Sequence, residues 1–219
     1  MTLNSEQIEI TRRAAAFVRQ ELGGDSSGHD WWHIHRVTEM AKRLAAEEGA
    51  DAYVCELAAL LHDIADEKLN ENAEAGMQKV RDWLAQNGVA ADAAVHVLEI
   101  ISTMSFKGGG QAPMRTLEGR VVQDADRLDA IGAVGIARTF AYSGAKGQLS
   151  HDPELPPRTD MTAEEYRKGK STAVNHFYEK LFKLKDLMNT DSAKKLAGER
   201  HRYMEEFLER FYSEWDGKL

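Results

Sequence analysis

The chain has 219 residues, of which 42 % are hydrophobic and 29 % are charged, values close to the averages for globular proteins. This composition excludes wholesale disorder, and the single cysteine, Cys55, excludes an internal disulfide. Lys and Arg number 28 against 36 Asp and Glu, so the formal charge of −8 argues against a general affinity for nucleic acid. Because no apolar run resembles a signal peptide or a membrane span, we expect a cytoplasmic protein that contacts no membrane.

Apolar residues recur at spacings of three and four along most of the chain, which predicts α-helices. The first such tract contains Ile8 and ends at the glycine-rich residues 23–28. Asp51 is predicted to cap the apolar helix that follows it, and Gly88 to close a later one. Near the C-terminus, aromatic residues keep a spacing of four: Tyr203, Phe207, Phe211 and Trp215.

Three of the four prolines fall within residues 149–161, which we predict to be a surface loop; a role as a lid stays open. No linker or repeat divides the chain. We therefore expect an all-α protein, a bundle of about eight or nine helices without a significant sheet, as a single domain over residues 1–219. Residues 162–219, which begin with the capping-box pattern of Thr162 and Glu165, are predicted to form C-terminal helices packed on the core.

Three His-Asp dipeptides occur, and since chance alone produces such pairs, their context must distinguish them: His29-Asp30, His62-Asp63 and His151-Asp152. His62-Asp63 ends the apolar sequence ELAALL, where burial of both side chains without partners would cost several kcal/mol. A bound cation would offset that cost. The alternative is a helix end with a solvated Asp63 and a hydrogen-bonded His62. Asp66 shares their helical side if the turn continues.

Two further segments carry side chains that bind metals. His33 lies on a helix that begins near Asp30, with His29 one turn earlier on the same face, although His29 has the alternative role of a loop or capping residue. The sequence VVQDADRLDAIG places three acids in an apolar tract, where repulsion and desolvation both oppose their burial: Asp124, Asp126 and Asp129. The alternative there is a helix with one solvated face on which Arg127 pairs with the acids.

The order His33, His62-Asp63, Asp126 stands within the sequences HIHRV, LAALLHDIAD and DADRLDAIG. This order resembles the HD-domain superfamily of metal-dependent phosphohydrolases, which carries the pattern H…HD…D on the helices of an all-α fold. The strings GHDWWH, HDIAD, SFKGG and VQDADRLDAIG are most similar to a stand-alone bacterial group of nucleotide pyrophosphohydrolase-like HD proteins. The similarity covers nearly the whole chain.

The resemblance implies that His33, His62, Asp63 and Asp126 ligate a divalent metal. Nitrogen and oxygen ligands without a thiolate suit Mn²⁺, Fe²⁺, Co²⁺, Ni²⁺ or Zn²⁺ better than Ca²⁺. Two-metal versions of the fold need additional histidines between the HD pair and the last Asp, and only His96 lies in that interval. We therefore expect one metal held by the protein, and a second ion, Mg²⁺ carried by substrate phosphates, stays open.

The activity that the resemblance implies is hydrolysis of nucleotides, most directly of a nucleoside triphosphate to its monophosphate and pyrophosphate. Asp66, as the proton acceptor of the attacking water, and Lys68 are the catalytic candidates. Lys107, Arg127 and His29 are the candidates for substrate contact. For each cation the alternative is an ordinary surface position, and for Asp66 it is a solvated position after a helix.

Aromatic residues near these motifs, Trp31, Trp32 and Phe106, are predicted to pack in the core or a pocket wall rather than to stack a base. Two other functions stay open: a nucleoside 5′-monophosphatase, and a catalytically silent HD domain that binds a nucleotide for signalling. A helical nucleic-acid-binding protein is disfavoured by the acidic charge. The expected partner is therefore a small-molecule nucleotide, and the chain is expected to be a monomer or a homodimer.

Overall fold

The computed structural model describes residues 3–22, 30–66, 69–104, 113–158 and 169–219. Within them the chain forms nine α-helices and no β-strand, which confirms the all-α prediction. The helices are α1 Ser5–Leu22, α2 Trp31–Glu48, α3 Ala52–Leu61, α4 Ala73–Gln86, α5 Ala91–Met104, α6 Leu117–Asp129, α7 Gly132–Ala145, α8 Ala173–Glu179 and α9 Asp191–Trp215. Two 3-10 segments, His62–Ala65 and Leu181–Leu187, follow α3 and α8. Among the described helices, none has both the length and the apolarity that a bilayer crossing requires.

The chain divides into two compact units, with the boundary inside α6. The first unit consists of the described residues of Met1–Phe106 and Ala112–Asp126, and the second consists of those of Arg127–Leu219. All four predicted metal ligands belong to the first unit.

Helix α3 is the centre of the first unit, and eight of its ten residues are buried. A helix that is apolar nearly all round must be covered on every side, and α1, α2 and α5 pack against it. The predicted cap is confirmed, because the Asp51 carboxylate accepts the backbone N–H groups of Tyr53 and Val54 at 2.9 and 3.2 Å. Since Leu61 at its end is fully buried, the residues that follow start from the interior.

Phenylalanine rings form the core of the second unit, with centroids 5.9 to 6.3 Å apart among Phe140, Phe177, Phe207 and Phe211. The aromatic residues that recur every four positions near the C-terminus therefore include two, Phe207 and Phe211, that pack in this core from α9. The other two, Tyr203 and Trp215, are about half exposed.

The described part of the proline-containing loop, residues 149–158, contains no helix and lies along the start of α8. The backbone N–H groups of Ala173 and Val174 donate to the carbonyls of Leu149 and Ser150 at 3.1 and 3.0 Å. These bonds fasten this part of the loop to α8. The capping box predicted at Thr162 lies outside the described residues.

Candidate metal centre

His33 reaches the interior from the first turn of α2. The carboxylate of Asp30 caps this helix and accepts the backbone N–H of His33 at 2.8 Å, so the helix begins where the sequence predicted. The side chain of His33 is only 3 % exposed. The cap thus places an imidazole in the core of the first unit at the start of a helix.

His62 and Asp63 lie where α3 tightens into the 3-10 segment His62–Ala65, called here the His-Asp turn. Both side chains are less than 9 % exposed. The turn stops at Ala65, and Asp66 follows in an extended conformation with φ −64° and ψ 131°. The α-helical continuation that would have aligned Asp66 with His62 is therefore absent from this segment, and the catalytic role of Asp66 stays a prediction.

Three described side chains bring their ligand atoms within 4.8 Å of one another: His33, His62 and Asp63. His62 Nε2 is 3.2 Å from Asp63 Oδ1, and His33 Nε2 is 3.6 Å from Asp63 Oδ2. Asp126 approaches the same His33 nitrogen, with its Oδ1 at 3.5 Å. Two ligands that each lie about 2.1 Å from one ion are themselves about 3.0–3.5 Å apart, so these separations suit a shared cation.

The hydrogen bond of the His62 ring determines which of its nitrogens can bind a metal. Nδ1 is 2.8 Å from the carbonyl oxygen of Ala59, which only accepts, so Nδ1 carries the proton. Nε2 then presents a lone pair, and this buried atom has no hydrogen-bond partner among the described residues. A lone pair that faces a carboxylate oxygen in the interior is repulsive unless a cation lies nearby. The donor set therefore fits a divalent transition metal.

The three acids of α6 have different surroundings. Asp124 is fully buried, and Asp129 is buried beside Arg138, with which it forms a salt bridge. Asp126 is 38 % exposed and is the acid that contacts His33. The alternative of one solvated acidic face is therefore not observed, because two of the three carboxylates are inside the protein.

Of the other candidates, Arg127 is described, and its guanidinium donates a hydrogen bond to the carbonyl of Leu187 in the second unit. Lys68, Lys107 and His29 lie outside the described residues. The substrate contacts expected of Arg127, Lys107 and His29, and the catalytic role expected of Lys68, stay predictions.

Two further histidines from the sequence analysis have surroundings of their own. His96 Nε2 is 2.9 Å from the hydroxyl of Thr116 and 3.7 Å from Glu118 Oε2, near the start of α6. The His151 ring lies edge-on against three aromatic rings of α9: Phe211, Tyr212 and Trp215. The surroundings of the two described His-Asp pairs therefore differ. His62-Asp63 lies beside His33, whereas the histidine of His151-Asp152 packs among aromatic side chains.

The two tryptophans of α2 differ in exposure. Trp31 is partly buried beneath the guanidinium of Arg19, at 5.8 Å from its ring, whereas Trp32 is 57 % exposed. Neighbouring residues of a helix point about 100° apart, so burial of His33 turns Trp32 outward. Core packing is therefore wrong for Trp32, and a place in a pocket wall stays a prediction. Phe106 lies outside the described residues.

Contacts that Asn70, and Gly76 of α4, make at the His-Asp turn were missed by the sequence analysis. The side-chain nitrogen of Asn70 lies 2.8 Å from the carbonyl oxygens of both Ile64 and Asp66. Gly76 of α4 approaches so closely that an added Cβ would lie 2.7 Å from the Ala65 oxygen. The available signal was Gly76 itself, because a lone glycine inside a helix often marks close packing.

Comparisons with known proteins agree on one family. The sequence profile of the HD domain matches residues 31–131. Bacillus subtilis YpgQ is 39 % identical over 214 residues, 97 % of each protein, and its structure in complex with ADP matches with a TM-score of 0.75, covering 93 % of this chain and 97 % of that one. An HD-superfamily hydrolase from Bacillus thuringiensis is 51 % identical, with a TM-score of 0.78 and coverage of 96 % and 98 %. A Lactobacillus plantarum protein is 44 % identical, with a TM-score of 0.82 and coverage of 99 % and 100 %.

Proposed function

Because the chain belongs to the HD-domain superfamily and is a metal-dependent phosphohydrolase, we propose that it hydrolyses nucleoside triphosphates to monophosphates and pyrophosphate. The observation that carries the proposal is the buried Nε2 of His62, which lies beside Asp63 and His33 and has no hydrogen-bond partner among the described residues. The complex of the related YpgQ with ADP supports a nucleotide as the substrate class.

Two imidazole nitrogens and two carboxylates would hold the ion, from His33, His62, Asp63 and Asp126. When bound, the ion neutralises charge on the phosphoryl oxygens and makes a coordinated water more acidic. Among the metals that suit this donor set, Mn²⁺ is the first to test.

The proposed reaction breaks the phosphoanhydride bond at the α-phosphorus. A water oxygen bonds to the α-phosphorus, the bond from that phosphorus to the bridging oxygen breaks, and pyrophosphate leaves with the bonding electrons. Asp66, just after the His-Asp turn, accepts the proton of the water. The predicted cations Lys68, Lys107 and Arg127, together with His29, contact the phosphates.

Product analysis tests the position of cleavage. The protein is incubated with ATP and Mn²⁺, and the products are separated by anion-exchange chromatography. We expect AMP and pyrophosphate in equal amounts, and no turnover in excess chelator. Formation of ADP and phosphate would contradict attack at the α-phosphorus, and release of phosphate from AMP would favour a nucleoside 5′-monophosphatase.

The substitution Asp63→Asn tests the centre itself, because it preserves the shape of the side chain and removes a charged ligand. We expect turnover to fall about a hundredfold or more, since the charge stabilisation that a metal supplies is worth several kcal/mol. Asp152→Asn is the matched control: it alters the other described His-Asp pair, where Asp152 accepts the backbone N–H of Glu154 at 3.0 Å. Wild-type turnover of Asp63→Asn would refute the proposed centre.

A further inference from the structure

The His-Asp turn is a short element that gains little rigidity from its own hydrogen bonds. A 3-10 segment has poorer hydrogen-bond geometry than an α-helix, and this one ends at Ala65. The backbone N–H of Asp66 donates to the carbonyl of Asp63 at 3.0 Å, which closes the turn. The carbonyls near its end must find partners outside a regular helix.

The side chain of Asn70 supplies one such partner. Its amide nitrogen has two hydrogens, and it lies 2.8 Å from the carbonyl oxygens of Ile64 and Asp66. These carbonyls flank Ala65, so one side chain joins the last part of the turn to the residue that follows it. We call these two bonds of Asn70 the bridge. Because the N–H of Asp66 donates to the carbonyl of Asp63, the bridge is linked through the backbone to a proposed metal ligand.

Helix α4 supports the same turn through Gly76. An added Cβ at Gly76 would lie 2.7 Å from the oxygen of Ala65 and 2.8 Å from the side-chain nitrogen of Asn70. Contacts below 3.0 Å are essentially never made by real Cβ atoms, so any larger residue would displace the turn or Asn70. Glycine inside a helix is unfavourable relative to alanine, and the close approach accounts for its presence here.

We propose that Asn70 and Gly76 are positioning residues of the metal centre, which hold the His-Asp turn so that His62 and Asp63 present their ligand atoms to His33. Neither residue is proposed as a ligand of the metal. The inference rests on the proposed function for the identity of the bound group. Groups that hydrogen-bond metal ligands directly change metal affinity by about 10–100-fold when they are removed, and we take this range as the scale for residues that act through the backbone of the turn.

The test compares variants that differ in whether they reach the turn. Asn70→Ala removes the bridge, and Asn72→Ala is its matched control, because Asn72 caps α4 by accepting the N–H of Ala75 at 2.9 Å. Gly76→Ala places a methyl group against Ala65, whereas Gly144→Ala, inside α7, meets open space. Electron paramagnetic resonance of free Mn²⁺ gives the dissociation constant, and circular dichroism reports the fold.

We expect Asn70→Ala and Gly76→Ala to raise the Mn²⁺ dissociation constant about tenfold or more while they remain folded. Both controls should keep the wild-type constant, even though Asn72→Ala loses a helix cap. If Asn70→Ala fails to fold, Asn70→Ser, whose hydroxyl offers a single hydrogen, provides the same comparison. An unchanged constant in the Asn70 and Gly76 variants, with wild-type protein that binds Mn²⁺, overturns the inference and leaves the proposed function intact.

Hydrogen exchange of the Asp66 amide in the metal-free protein supplies a second readout. Its bond to Asp63 closes the turn, so we expect faster exchange in Asn70→Ala and Gly76→Ala than in the wild type or the controls. If the wild type binds none of the divalent metals that suit the donor set, the proposed function fails, and so does a positioning role toward a metal. An unchanged exchange rate would in addition show that Asn70 and Gly76 do not hold the turn.

Discussion

The tautomer of His62 is set by a hydrogen bond to a backbone carbonyl of the preceding helix, α3. Nδ1 donates to the carbonyl of Ala59, three residues earlier, so Nε2 keeps its lone pair on the side of His33 and Asp63. A metal-binding imidazole usually donates its other N–H to such a carbonyl, which fixes the orientation of the ring. The hydrogen bond to Ala59 thus orients the ring of the proposed ligand His62.

Cys55, by contrast, is a packing residue. Burial, followed by the charges of Glu118 and Asp51, raises the pKa of its thiol well above the ordinary value. Because metals bind the thiolate, this thiol is a poor ligand. Its burial in α3 agrees with a centre built from nitrogen and oxygen donors.

Trp32 leads to a prediction about substrate binding. Its ring is 57 % exposed and lies edge-on to His35 at 5.8 Å, one residue from His33. Because stacking of a base on an aromatic ring is worth about 1–3 kcal/mol, we expect Trp32→Ala to raise the KM for ATP about tenfold with little change in kcat. Steady-state kinetics with ATP, and with inorganic triphosphate as a substrate without a base, measure the effect.

Trp215→Ala is the matched control, since Trp215 is 50 % exposed on α9. An equal KM for ATP in Trp32→Ala and wild type would exclude base stacking on Trp32. An equal rise in KM for inorganic triphosphate would show that the substitution disturbs the metal centre instead.

At the scale of the elements, helix α8 is joined to the residues before it by a buried carboxylate. This is the side chain of its last residue, Glu179, which is 1 % exposed. It accepts hydrogen bonds from Arg158 Nε at 2.9 Å, from Arg158 Nη2 at 2.8 Å and from the Ser171 hydroxyl at 2.9 Å. Burial by itself would raise the pKa of Glu179, but the bonds from Arg158 and Ser171 outweigh it and lower the pKa below its ordinary value of 4.5. The proline-containing loop is therefore joined to α8 by charge as well as by backbone bonds.

We expect Glu179→Gln to lower the free energy of unfolding at pH 7 by about 3 kcal/mol, because it removes the buried negative charge that accepts two side-chain hydrogen bonds from Arg158. Since the pKa of Glu179 is lower in the folded than in the unfolded chain, the wild type exceeds the variant in free energy of unfolding by the full amount above about pH 4.5. This difference shrinks as the pH falls through the lowered pKa of the folded state. Urea denaturation of both proteins between pH 7 and pH 4 or below measures the difference, and an advantage independent of pH would contradict the role of the ionised carboxylate.

At the scale of the whole molecule, we expect a bound metal to raise the free energy of unfolding of the first unit. That unit contains the four proposed ligands, His33, His62, Asp63 and Asp126. A ligand that binds only the folded state adds about 2.7 kcal/mol when its concentration is a hundred times Kd. For a chain of this length that corresponds to a rise in Tm of about 5–10 °C. Differential scanning calorimetry with Mn²⁺ should show the rise, and chelator should reverse it.

Asp63→Asn provides the control for that measurement, because it removes a ligand without changing the size of the side chain. Its Tm should not respond to Mn²⁺. A shift as large as that of the wild type would show that Mn²⁺ stabilises the protein at another site.

Local sequence patterns were sufficient to predict the all-α architecture, the cap at Asp51 and the His-Asp pairs as candidate sites. Helical spacing, capping and motif order involve residues that are close in sequence, so their physical consequences can be followed along the chain. The order of His33, His62-Asp63 and Asp126 also identified the HD-domain superfamily, which the comparisons confirm.

Tertiary packing decided the rest. It brings His33 of α2 beside the turn after α3, buries Asp124 and Asp129 while Asp126 contacts His33, and turns Trp32 outward. It also places Gly76 and Asn70 against the His-Asp turn. These outcomes depend on which helix faces meet across the core, and such contacts join residues whose spacing along the chain carries no periodic signal.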